Sequence, residues 1–165
     1  MRMIARTALA IVWLPLSAAL PAKADLPEDS CFVQARPGTA AAVWQLAFRV
    51  QPLTGNDRLN DLPYRYATLA VVLGPRAQGL ADAVTGKRLT QSLVCRNDTG
   101  VCTAAERQAS LSFRLTDGDR LTLVTDDMPV ADYGESDLAS NLAHPPGTPV
   151  RLDLVRAAPE DCRNF

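Results

Sequence analysis

The stretch SLSFRLTDGDRLTLV, residues 110–124, decides the fold class. Leu111, Phe113 and Leu115 take every second position against Ser110, Ser112, Arg114 and Thr116. Leu121 and Leu123 resume the pattern after Asp117, Gly118 and Asp119. A period of two sends successive side chains to opposite faces of a strand, so each arm has one apolar and one wet face, and the turn residues between them make a β-hairpin. A two-residue loop at Asp117-Gly118 would put Arg114 on the face of Leu121. A three-residue loop, Thr116-Asp117-Gly118, pairs Phe113 with Leu121 and Leu111 with Leu123 and keeps the apolar residues together. The expectation is a type I turn with a bulge at Gly118.

The same alternation recurs outward in both directions. Trp44, Leu46, Phe48 and Val50 alternate with Gln45, Ala47, Arg49 and Gln51 until Pro52 and the turn residues 54–57. Leu69, Val71 and Leu73 repeat it, as do Leu89, Leu93 and Cys95 around Gln91, and Val150, Leu152 and Leu154 around Arg151 and Asp153. Six short strands separated by turn signals predict a mainly β chain: one antiparallel β-sandwich or small β-barrel of about six to eight strands, with at most one or two short helices. Two stretches depart from the pattern. Residues 79–84 are small and read either as a further strand or as one helical turn. Residues 136–143 read as a short helix capped by Ser136, with Leu138 and Leu142 on one face and Pro145-Pro146 beyond it.

The first 24 residues read as an address. Arg2 and Arg6 precede an apolar run from Ala8 to Leu20, followed by Pro21, Ala22, Lys23 and Ala24, the order of a cleavable secretory leader. The run is shorter than the roughly 20 apolar residues that span a bilayer, so no membrane span is expected after cleavage. Cys31 follows Glu28, Asp29 and Ser30 rather than small apolar residues, which removes a lipid anchor. Residues 25–165 then form one β-rich domain carrying 14 basic and 18 acidic side chains. That balance excludes a nucleic-acid binder held by phosphate contacts.

In an oxidising compartment Cys31, Cys95, Cys102 and Cys162 make an even set for two bridges. Asn97, Asp98, Thr99 and Gly100 form a turn that brings Cys95 to Cys102, which leaves Cys31 for Cys162. No CxxC spacing points to zinc or a redox dithiol, and a single histidine excludes a multi-histidine metal site. No metal or cofactor is expected.

Catalytic signals are sparse. His144 is the one imidazole, on a Pro-rich loop, and no nucleophile elbow occurs. Asp117 and Asp119 fall at one end of the hairpin and Asp126 and Asp127 at the other, with Asp132 beyond, so they read as turn residues on a wet rim. The candidate binding surface is instead Arg49, Arg114 and Arg151, outward residues that form a stripe if their strands are neighbours, together with Tyr64, Arg65 and Tyr66. The general form, a leader followed by a two-disulfide β domain, resembles small periplasmic proteins that include barrel-like inhibitors of proteases and of lysozyme. None of their motifs is matched residue by residue, and no residue role is carried over. The expected function is a non-enzymatic binding, accessory or inhibitor-like module, periplasmic or secreted, whose partner is a protein or a small anionic ligand. The rivals are a small hydrolase using His144 or the rim aspartates, and a structural cell-envelope component.

Overall fold

The computed structural model describes residues 25–34, 43–55, 63–74, 84–104, 108–132, 139–143, 146–163 and 165. Alternation becomes strands β1 Cys31–Gln34, β2 Val43–Val50, β3 Tyr64–Leu73, β4 Arg88–Arg96, β5 Val101–Ala104, β6 Ser110–Thr116 and β7 Arg120–Asp127. A hairpin, β8 Pro129–Ala131 and β9 Ala139–Asn141, precedes β10 Val150–Ala157 and the helix α1 Pro159–Arg163. Strands β1 to β7 pair in chain order, all antiparallel, and β10 pairs with both β7 and β1. The sheet therefore closes on itself as an eight-stranded antiparallel barrel, and closure removes the free edges that an open sandwich would leave.

A barrel of eight strands has an interior just wide enough for side chains to fill. Phe32, Leu46, Phe48, Leu69, Leu89, Leu93, Leu111, Leu121 and Leu123 are each at most 1% exposed and belong to one packed cluster. All but Phe32 are positions that the period-two pattern sends inward. Both bridges form as expected. Cys95 and Cys102 face each other across β4 and β5 inside the barrel. Cys31 reaches outward to Cys162 and fastens α1 to the outer wall, where Ala47, Val33, Ala157 and Phe165 pack around the pair. Pro159 at the first helical position and Asp161, whose carboxylate accepts the Ala158 N–H at 3.2 Å, start that helix. No helix among the described residues is long and apolar enough to cross a membrane. Two structural disulfides place the chain in an oxidising compartment.

The two barrel ends are closed differently. At the end bearing the β4–β5 and β6–β7 turns, the segment before β1 lays Leu26 into the core, fully buried. At the other end β7 carries one extra residue between its partners of Ser112 and Ser110, and the Thr125 hydroxyl donates to the Ser110 carbonyl there at 2.9 Å. The bulge leads into β8–β9, which continues beside β4 at Thr90 where the short β5 has ended. Met128, Val130 and Leu142 from this hairpin are buried against the core.

Three expectations need correction or qualification. The β6–β7 hairpin pairs Phe113 with Leu123 and Leu115 with Leu121, two positions from the expected register. Both registers keep the same faces, so apolar patterning alone does not separate them. Turn chemistry does: Asp117 and Gly118 both take positive φ, 54° and 75°, and Asp119 N–H donates to Thr116 O at 3.3 Å, so the turn is not type I. Residues 139–141, expected in a helix, form β9 instead, because they pair with β8 and the following Leu142 N–H donates to Met128 O at 2.9 Å. In β2 the register shifts between Val43 and Gln45, and Val43 is buried. The side chain of Trp44, Tyr133, residues 79–83, Ser136, Leu138, His144 and the leader 1–24 lie outside the described residues.

Candidate functional site

Because the strands' inner faces make the core, any surface for a partner lies on the outer wall or the loops. The β6–β7–β10 flank is an array of three rows: Ser112–Val124–Arg151, Arg114–Thr122–Asp153 and Thr116–Arg120–Val155. Arg114 and Arg151 therefore share a flank, joined by Arg120, which the pattern did not single out. Arg49 does not belong to it. It stands on β2, separated from β10 by β1, and pairs loosely with Asp29 at 3.8 Å. The expected three-arginine stripe is thus split.

Asp153 is the anchor of the flank. Its carboxylate accepts from the Thr122 hydroxyl at 2.8 Å and lies 3.3 Å from the Arg151 guanidinium. The Thr122 bond first, then Arg151, holds its titration below the ordinary carboxylate value. A depressed folded value means that the stabilisation is present above the ordinary range and is lost as pH falls through the folded one. Asp153→Asn is expected to lower the Tm by roughly 1–2 °C above about pH 5, with the difference shrinking as pH falls below the ordinary carboxylate range, since exposed pairs are worth little. Thermal unfolding at pH 2–7 reads this, and a pH-independent offset would refute it.

Tyr64, Arg65 and Tyr66 open β3, and alternation divides them. Arg65 turns toward the barrel mouth, where it pairs with Asp25 at 3.8 Å. Tyr64 and Tyr66 face outward, 37% and 46% exposed. Tyr64 lies opposite Arg96, whose guanidinium sits 5.7 Å from the ring centroid and pairs with Asp98 at 2.6 Å. That hydrogen-bonded pair raises the Arg96 titration and lowers that of Asp98. From the tyrosines the register runs on without a break. Tyr66 is level with Val94 and Thr103, and Tyr64 is level with Arg96, Val101, Ser112 and Val124. A groove of about 280 Å³ between Val101, Ser112, Val124 and Pro149 ends this band.

A third surface lies beside α1. Ala47 and Ala70 are level on β2 and β3, and Arg49 and Thr68 are level one row on. With Arg88, Cys162 and Arg163 they line a groove of about 230 Å³. Arg88 and Arg163 were not anticipated. The Cys31–Cys162 bridge was the signal available, since it carries Arg163 to the wall of β1 and β2.

Asp117 and Asp119 sit in the β6–β7 turn, and Asp126 and Asp127 near the far end of β7, roughly 20 Å away at about 3.3 Å per residue. Asp127 accepts from the Asn141 amide at 2.6 Å, and the Asp126 carbonyl accepts from Gly147 N–H at 2.7 Å. Among the described residues no three His, Cys, Asp or Glu side chains are grouped to hold a metal. Comparison with family models, with curated proteins and with solved structures finds no match to this chain.

Proposed function

We propose that this chain is an exported, non-enzymatic binding module, accessory or inhibitor-like, that works in the bacterial periplasm or outside the cell by holding a partner protein against its outer wall. The observation that carries this reading is the unbroken band from Tyr66 and Tyr64 through Val94 and Val101 to Val124. Tyr64, Tyr66 and Val124 are the exposed large apolar side chains of that band. Tyrosine supplies large contact area at low conformational cost, and together with arginine it dominates the energetic centres of protein interfaces. The export part rests on the two disulfides and on the leader-like order of residues 1–24.

Site-specific photo-crosslinking in the exporting cell tests it. A photoreactive side chain at Tyr66 is expected to give one discrete protein adduct that Val124→Asp abolishes. The same group at Glu160, exposed on α1, is expected to give none. Equal labelling from both positions, or an adduct indifferent to Val124→Asp, would reject the band as the contact surface.

A further inference from the structure

We propose that the groove beside α1 is an oxyanion site that takes a phosphate group, held by Arg49, Arg88 and Arg163. It adjoins the tyrosine band, Thr68 standing two positions from Tyr66 on the same face of β3, but its readout is phosphate and not a protein adduct, so its test stands whether or not that band takes a protein. Five features converge on one ligand chemistry.

Three arginines line one groove of about 230 Å³, and among the described residues Asp29 is the one carboxylate paired with any of them, at 3.8 Å from Arg49. Guanidinium forks match the oxygens of phosphate better than any other side chain. The floor is small: Ala47 and Ala70 end at Cβ, so a multi-oxygen anion can approach the sheet closely. The Arg49 Nε–H is buried and has no acceptor. A buried donor of that kind is destabilising until an acceptor reaches it. Thr68 adds a neutral donor, because its hydroxyl oxygen already accepts from the Gln51 amide at 3.3 Å and its own O–H is left to give. Finally, the wall carrying Arg163 is fixed covalently to β1 through Cys162, so ordering that wall costs little on binding.

The test is an amide-resolved NMR titration of the disulfide-bonded protein with inorganic phosphate at low salt. Saturable shifts are expected at Ala47, Arg49, Thr68 and Ala70. Arg88→Gln and Arg163→Gln, both at exposed positions that leave the core untouched, are each expected to weaken binding about three- to tenfold. Arg163→Lys is expected to recover part of the loss, since it keeps the charge but not the fork. Vesicles of phosphatidylcholine with and without phosphatidylglycerol form the second arm. Retention on the anionic vesicles that Arg88→Gln and Arg163→Gln abolish assigns a lipid phosphate, whereas phosphate shifts without retention assign a soluble phosphate compound. Shifts that are linear and scattered, or equal in the double Arg88→Gln, Arg163→Gln variant, mean an adventitious ion only and overturn the proposal. So does the absence of both saturable shifts and vesicle retention.

Discussion

Replacing Cys31 and Cys162 together by alanine is expected to lower the unfolding free energy by about 4–5 kcal/mol. The bridge spans 131 positions, so in the chain-entropy description its removal frees almost the whole described chain in the denatured state. Its native position adds to the effect. β1 has only four residues, yet it is the strand that joins β2 to β10 and so closes the barrel. Without the bridge α1 has little to hold it, because its contacts are to β1 and β2 around the disulfide itself. The Cys95–Cys102 bridge spans seven positions and is worth about 2.5 kcal/mol by the same description. Urea unfolding of the two double variants measures the contrast. The Cys31/Cys162 variant is expected to show the larger fall in midpoint and a steeper slope, since its denatured state expands further. A loss below 1 kcal/mol, or the reverse order of the two variants, would mean that the barrel closes through strand pairing alone.

The core and the Cys95–Cys102 bridge were legible because each rests on information carried locally, and the even cysteine count then left Cys31 for Cys162. Alternation names the inner face of β3, β4, β6, β7 and β10, and that of β2 from Leu46 onward, and the turn at residues 97–100 brings Cys95 to Cys102. What was hidden is non-local or short. β1, β5, β8 and β9 have three or four residues each, too few for a period of two to stand out. The outward position of Ala47 predicted exposure, but it is buried because the Cys31–Cys162 bridge brings α1 over it. The split of Arg49 from Arg114 and Arg151 depends on strand order, which hydrophobic pattern does not encode: in a barrel closed by β10, β1 intervenes. For the same reason Arg88 and Arg163 came to Arg49 unannounced.

Leu26→Ala is the second large effect expected, a loss of about 2–5 kcal/mol. Leu26 is fully buried in the main core although it precedes the first strand, and it closes the barrel end that lacks the β8–β9 hairpin. Its N–H donates to the Asn97 side-chain oxygen at 3.3 Å, the Asn97 amide donates to Asp25 at 2.5 Å, and Asn97 N–H donates to Pro63 O at 3.1 Å. Buried Asn97 thus ties three chain segments together at the mouth. Leu26→Ala leaves a cavity that the surrounding strands, fixed by their ladders, relax into only partly. Asn97→Ala strands the Leu26 N–H and is expected to cost about 1–3 kcal/mol. Because both act on one plug, the double variant should lose less than the sum of the two, and a double-mutant cycle in urea reads that coupling. Strict additivity, or a Leu26→Ala loss under 1 kcal/mol, would show that the mouth closes without this segment. The expected cleavage after Ala24 acquires a structural consequence here. A chain starting at Asp25 keeps the plug, whereas one cut only three residues later, starting at Glu28, lacks Leu26 and should unfold at the lower denaturant concentration.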